Sequence, residues 1–452
     1  MKRNVERADL VQLEKNREMN IKELHSLFLE SSGVTTDTRE IKKGAIFFAL
    51  KGDNFDGNDF AQKAIELGAS WSVCDREGIE GSRVLKVDDS LKTLQELAAF
   101  HRKYYHIPLF ALTGTNGKTT TKELVAAVLA KKYRVLSTSG NLNNHIGVPL
   151  TLLKMDKETE VAVIEMGASA PGEIELLCSI ATPDVGLITN VGKAHLLGFG
   201  SFEGVKKTKG ELYDYLATSS GKVLYNTSNT ILKKMIVERN GLRCTPYGMK
   251  VSAASVLAVT ADNPFLRLKI KGGRVINTQM IGSYNADNVL AALATGDVFN
   301  VPEDLAIKAI EEYHPSNNRS QLTKGNKNTL IIDAYNANPT SMRAALDNFR
   351  EMIVVKKGIV LGDMFELGEY SDQEHTDILR LALNDGYEVI FLVGREFGKA
   401  ALKVAQGDPH IELFENSDAL RERLEQKPLT GFTFLVKGSR GTKLERAIPA
   451  LL

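Results

Sequence analysis

The stretch ALTGTNGKTTTKE, residues 111–123, follows an apolar run that ends at Leu112 and leads into an amphipathic stretch. Strand, glycine loop and helix in that order build a phosphate cradle. Glycines let backbone N–H groups close on phosphate oxygens, and the helix adds its positive end. Gly114, Thr115, Asn116, Gly117, Lys118, Thr119 and Thr120 are the candidates for nucleotide contact. Lys118 suits the β- and γ-phosphates, and the Thr119 hydroxyl suits Mg²⁺. The loop departs from the common phosphate-loop form, because Leu112 stands five residues before Gly117 where that form has glycine. A fortuitous glycine turn is the alternative, but it leaves the ordered strand, Lys-Thr pair and helix unexplained. The expectation is a bound nucleoside triphosphate.

Outward from the loop, apolar runs end repeatedly in Gly, Asp or Asn: LFALTG, EVAVIEMG, VGLITNVG, TLIIDAYN, GIVLGDM, VIFLVG and FTFLVKGS. Helical stretches such as TKELVAAVLAKKY and PTSMRAALDNFREM separate them. Continuous apolar strands alternating with helices predict an α/β fold with parallel sheets covered on both faces. Ligands in such sheets sit beyond the carboxyl ends of the strands. Changes in texture near Tyr104–Pro108 and at HPSNNR, residues 314–319, predict units at 19–106, 107–313 and 314–452. Residues 1–18 are charge-dense without apolar periodicity and read as a frayed, disordered extension ahead of Met19, where helical spacing begins.

The chain of 452 residues has room for about three domains. Its 57 basic and 56 acidic side chains leave a charge of +1, which argues against a nucleic-acid partner. No apolar run reaches the roughly 18 residues of a membrane span, and the N-terminus lacks the apolar core of a secretory signal. Cys74, Cys178 and Cys244 are too few and too scattered for a disulfide framework or a zinc cluster. The expectation is a cytoplasmic protein without membrane insertion.

TGTNGKTTTKE resembles the ATP loop of the Mur ligase superfamily, the amide-forming enzymes of peptidoglycan assembly. DTREIKKGAIFFALKG, DGNDF, NLNNHIGVPLTLL, EMGASAPGEI, GSYNADN, DAYNANPTSM, LGDMFELGE and LVKGSRG extend the resemblance from about residue 19 to the C-terminus. These motifs are similar to those of the superfamily members that add D-alanyl-D-alanine to UDP-N-acetylmuramoyl-tripeptide. The resemblance implies three domains: an N-terminal UDP-substrate domain, a central P-loop ATPase-like domain and a C-terminal Rossmann-like domain. It implies an ATP-dependent acid–D-amino-acid ligase acting through an acyl phosphate, with ATP, Mg²⁺ and a carbamylated lysine, as a monomer. A tripeptide-forming Mur ligase or a folylpolyglutamate-synthetase-like enzyme is the rival reading. The DNPR-type motif usual in ligases that add diaminopimelate is absent, and YNANPTSM stands instead. A nucleotide-binding regulatory module without turnover is the rival from another class.

Glu165 ends the run EVAVIEMG, where a carboxylate can hold Mg²⁺. His195, in NVGKAHLLGFGS, is a metal contact by resemblance alone, since Mg²⁺ prefers oxygen. Lys209, in KKTKGELY, would be one more surface lysine without the resemblance, which implies a carbamate there. Lys206 and Lys207 miss the family spacing. The resemblance further assigns Asn285, Asn288, Arg319, Asp333 and Tyr335 to ATP. Asn285 and Asn288, three apart, could instead bridge structure, and Asn338 could be a helix N-cap. Substrate contacts are implied for Thr36, Asp37, Thr38, Arg39, Lys51, Asp56, Asn141, Asn144, His145, Asn336, Asn338, Lys437, Ser439 and Arg440. Asn58 and Tyr284 replace the histidines common in the family.

Overall fold

The computed structural model describes residues 20–260, 263–315 and 319–452. The expected extension 1–18 and part of the HPSNNR break lie outside these residues. All seven apolar runs are strands: Leu109–Thr113, Val161–Glu165, Val185–Ile188, Thr329–Asp333, Lys357–Gly362, Val389–Val393 and Thr433–Lys437. Among the described residues, chain contacts group 20–109, 136–166 and 176–182 into one unit, and 110–135, 167–175 and the rest from 183 onward into another.

In the first unit, helix Ile21–Glu30 starts on a capping box in which Asn20 and Glu23 satisfy each other's backbone N–H groups. A parallel sheet follows in the order Val34–Thr35, Ile46–Phe48, Trp71–Cys74, Val84–Lys86. Phe47, Ala49, Ala61, Ala64 and Cys74 pack one of its cores. Helix Ser90–Tyr105 ends at His106, which turns the chain with φ 47°. That helix bonds segments 136–166 and 176–182, which belong to the same unit. Gln95 donates to the His145 carbonyl at 3.0 Å, the His101 ring bonds the Met155 carbonyl at 2.9 Å, and Arg102 donates to the Ala181 carbonyl at 3.0 Å.

In the second unit, Leu109–Thr113 pairs in parallel with Val185–Ile188, then Lys222–Asn226, then Arg243–Tyr247. A three-stranded antiparallel sheet, Ser255–Val256, Phe265–Lys269 and Val275–Ile281, departs from the expectation of parallel sheets. Its strands bury one face only, so they alternate instead of running apolar throughout.

The C-terminal sheet runs in the order Gln321–Lys324, Thr329–Asp333, Thr433–Lys437, Lys357–Gly362, Val389–Val393, Ile411–Phe414. Only its edge strand Gln321–Lys324 is antiparallel. Ile331, Ile359, Leu361, Leu392 and Leu435 point to one face, against Met342, Phe349, Leu379 and Phe397. Leu330, Val360, Phe391, Phe434 and Val436 point to the other, against Leu420, Leu424 and Leu444. Burial on both faces is why these strands read as unbroken apolar runs.

Candidate active site

The loop at 114–120 has the expected construction. Gly114 and Gly117 have φ of 143° and 77°, backbone that a side chain would strain. A Cβ on Gly114 would fall 2.0 Å from the Thr189 hydroxyl, and one on Gly117 would fall 2.7 Å from Asn288 Oδ1. Helix Lys118–Leu129 begins directly at the lysine, so its first N–H groups face the loop. The Lys118 ammonium curls back onto the carbonyls of Gly114 and Thr115, at 2.8 and 3.2 Å. Thr119 is buried. Asn190 and Thr189 brace the loop from the next strand: the Asn116 N–H donates to Asn190 Oδ1 at 3.0 Å, and the Asn116 carbonyl accepts from both side chains.

His195 caps helix Leu196–Phe199 in a left-handed conformation, φ 51°. Its Nδ1 contacts the Glu366 carboxylate. Burial above all lowers the proton affinity of His195; the charges of Lys118 and Lys209 push the same way, and Glu366 opposes them. The predicted Lys118, His195 and Lys209 thus feel one another's field. Lys209 lies on helix Phe202–Thr218, capped by the Ser201 hydroxyl. Val205, Lys209, Leu212 and Leu216 fall on its inward stripe, which leaves Lys209 buried, Lys207 exposed and Lys206 paired to Glu203 and Glu238. The Lys209 ammonium lies 3.4 Å from the Ala168 carbonyl and 5.4 Å from the Phe199 ring centre.

Asn285 and Asn288 are buried and bridging: Thr121 donates to Asn288 at 3.0 Å, Asn288 to Asn285 at 2.8 Å, and Asn285 to the Ile281 carbonyl at 2.8 Å. Tyr284, in the family's histidine position, bonds the Ser320 hydroxyl at 2.8 Å. Asn338 is an N-cap, accepting from the Ser341 N–H at 2.9 Å, with Pro339 in the first turn. It also donates to Asn116 Oδ1 at 2.7 Å, so the cap and the loop contact coexist.

Asp333 accepts from the buried Lys437. Tyr335 is faced by two guanidinium groups, Arg319 at 3.8 Å and Arg440 at 5.7 Å. Ser439 is buried and accepts from the Phe365 N–H at 3.1 Å, a bracing role. Asn336 is exposed.

In the first unit, Glu165 is buried at its strand end. Its N–H donates to the Thr138 hydroxyl at 2.9 Å, and its Oε1 accepts from Asn143 at 2.8 Å. Its Oε2 is buried with no hydrogen-bond partner among the described residues. A bare buried carboxylate oxygen is costly unless a cation or proton meets it, which fits a Mg²⁺ ligand. Asn143 was missed by the sequence reading. Its neighbour Asn144 accepts from the Gly147 N–H at 2.8 Å at the start of the next helix, and Asn141 is exposed. His145 contributes its backbone carbonyl to Gln95.

Asp37 accepts from the Arg39 side chain at 2.9 Å, which holds its carboxyl down at about 2. Thr38 opens the short helical turn that Asp37 caps. Lys51 pairs with Asp75 at 3.0 Å, and Asp56 with Arg76 at 3.4 Å. Asn58 is buried and bridges Asp56 and Asp75, each at 2.8 Å, so this position braces the loop. Among the described residues, no cluster of three His, Cys, Asp or Glu side chains forms a metal cage. Mg²⁺ does not require one, because it keeps waters and takes phosphate oxygens.

Three family models match in succession: "Mur ligase family, catalytic domain" over residues 30–102, "Mur ligase middle domain" over 112–296, and "Mur ligase, glutamate ligase domain" over 318–440. The chain belongs to the Mur ligase family of ATP-dependent ligases and has its three-domain architecture. It is similar to the UDP-N-acetylmuramoyl-tripeptide--D-alanyl-D-alanine ligase of Bacillus subtilis, 36% identical over 93% of each chain. The enzyme of the same name from Escherichia coli is 35% identical over 95% of each. The crystal structure of the MurF ligase from Thermotoga maritima in complex with ADP superposes with TM-score 0.82 at 25% identity, covering 94% of this chain and 97% of that one.

Proposed function

We propose that this protein joins D-alanyl-D-alanine to UDP-N-acetylmuramoyl-tripeptide, giving UDP-N-acetylmuramoyl-pentapeptide, ADP and phosphate for peptidoglycan synthesis. The observation that carries the reading is the near-full-length similarity to ligases of that name, joined to an intact phosphate loop. A tripeptide-forming or folylpolyglutamate-type ligase has no comparable support.

The tripeptide carboxylate is a poor acyl donor, so one of its oxygens takes the γ-phosphoryl group of ATP and ADP leaves. The amine of the dipeptide then attacks the acyl carbon, loses a proton, and expels phosphate. Lys118 and the loop N–H groups hold the phosphates and offset the charge that builds on them. Glu165, the Thr119 hydroxyl, His195 and a carbamate on Lys209 are the proposed metal contacts. Bound Mg²⁺ would supply charge neutralisation for phosphoryl transfer. A carbamate on the buried Lys209 would turn a cation into an anionic oxygen ligand.

Arg319, Asp333, Tyr335, Asn285 and Asn288 are retained as nucleotide contacts. Asp37, Thr38, Arg39, Lys51 and Asp56 are retained for the uridine diphosphate, Arg39 being an apt diphosphate partner. Asn141, Asn144, His145, Asn336, Asn338, Lys437, Ser439 and Arg440 are retained for the peptides. In favour of boundaries at 19–106, 107–313 and 314–452 is that the family matches over 30–102, 112–296 and 318–440 each fall within one of these ranges. The protein acts as a cytoplasmic monomer, in keeping with cysteines that form no disulfide among the described residues.

The test is ADP release and product mass across a matrix of tripeptides and amine acceptors. Release that needs both tripeptide and D-alanyl-D-alanine, with a pentapeptide product, is expected. ADP release indifferent to the acceptor would sink the reading.

A further inference from the structure

LGDMFELGE, residues 361–369, took part in the family resemblance, but none of its residues was given a role. Its Glu366 reaches from the C-terminal sheet to His195, whose Nδ1 contacts Glu366 Oε2. Both residues are non-glycine and left-handed, with φ of 51° and 61°. Such backbone is costly and persists where the surroundings enforce it. A second bond enforces it here: the Leu197 N–H donates to the Glu366 carbonyl at 3.3 Å. Two residues before His195, the Lys193 ammonium donates to Glu374 at 2.7 Å, in the helix that follows the motif. Residues 193–197 are therefore gripped at three points by residues 366–374.

A carboxylate only accepts hydrogen bonds, so the proton of a neutral His195 ring sits on Nδ1 and the lone pair on Nε2. Carboxylate partners commonly fix metal-binding histidines in this way. We propose that Glu366 is a positioning residue that sets the tautomer and ring orientation of His195, so that docking of the C-terminal domain readies the metal contact. The inference rests on the reading of His195 as a metal contact. It adds that a carboxylate outside the central domain controls that histidine, tying acyl-phosphate chemistry to the docked arrangement.

The experiment uses the full chain labelled with ¹⁵N-histidine, the His195 signals being assigned with a His195→Gln variant among the eight histidines. The expected parent spectrum shows His195 protonated at Nδ1, and Glu366→Ala shifts it toward the Nε2-protonated form. Affinity for Mn²⁺ in the presence of ADP, read by electron paramagnetic resonance, should fall about 10–100-fold in Glu366→Ala. Glu366→Asp should recover part of that loss. In turnover, kcat should drop at low Mg²⁺ and recover at high Mg²⁺, while KM for the dipeptide stays within about twofold.

Lys193→Ala removes a neighbouring contact without touching the ring and should leave the tautomer as in the parent. A folded Glu366→Ala with parent-like His195 signals and Mn²⁺ affinity overturns the proposal. A Lys193→Ala variant that moves the His195 signals equally also overturns it, by assigning the effect to docking in general. The spectral and Mn²⁺ readouts need no turnover, so they separate this inference from the substrate reading: absence of pentapeptide from the parent enzyme would sink only the latter.

Discussion

Asp333 and Lys437 stand directly opposite each other on neighbouring parallel strands, and the buried ammonium donates to the carboxylate. The resemblance gave them different ligands, ATP for Asp333 and the substrate for Lys437. In the fold they pair with each other. A lysine whose side chain is only 2% exposed needs a counter-charge whatever else it binds.

Asp333→Leu should therefore be severely destabilising, by about 3–5 kcal/mol, because it strands a buried cation. Asp333→Leu combined with Lys437→Met should recover most of that loss while activity stays low. Calorimetric unfolding of the two variants checks this. A single variant as stable as the parent would show that the pair carries little coupling.

Lys118→Ala should abolish product formation and leave the unfolding transition intact. The lysine packs no core; it meets loop carbonyls and, in the proposed reaction, phosphate oxygens. Losing one such electrostatic contact costs on the order of a hundredfold or more in rate. Near-normal ADP release by the folded variant would remove the loop from the ATP site.

Lys209→Ala should be nearly inactive, and acetate or formate should restore part of the activity by placing an oxygen ligand in the vacated space. Lys206→Ala and Lys207→Ala should cost little and show no rescue, since those side chains lie off the inward stripe. Full activity in Lys209→Ala would end the carbamate assignment while leaving the ligase reading open.

Acid should destabilise the first unit through His25 and His101. The rings are buried and bonded at 3.0 Å, and His101 also bonds the Met155 carbonyl at 2.9 Å, so both are held neutral. Burial lowers the proton affinity of each below the ordinary 6.5. The unfolded chain then binds more protons than the folded one. The stabilisation is complete above pH about 6.5 and is lost as pH falls below it toward the folded values. His25→Phe should lose less stability than the parent between about pH 7.5 and about pH 5.5 in thermal unfolding. An equal loss would place the acid sensitivity elsewhere.

The legible part of the fold is the part buried on two faces. Seven apolar runs were readable as strands because parallel strands covered on both sides leave no polar alternation. The antiparallel sheet Ser255–Ile281 escaped because its one-sided burial mixes polar and apolar residues over short, irregular strands. The phosphate loop was legible because its chemistry lies in consecutive residues. Lys209 carried a readable signal of its own: four residues after Val205 and three before Leu212, it occupies an apolar position of its helix.

The amino-acid order by itself determined the α/β class, the phosphate loop and its lysine, and the strand ends where chemistry would sit. These follow from local periodicity and from spacings of a few residues. Only the tertiary structure decided that Asn143 and not Asn141 or Asn144 holds Glu165, that Asp333 meets Lys437 across 104 positions, and that Glu366 reaches His195 across 171. Those partners are chosen by strand register and loop conformation, which depend on packing far along the chain. No local pattern encodes which of several polar residues will be buried together, because only the closed fold removes the water that would otherwise satisfy each of them alone.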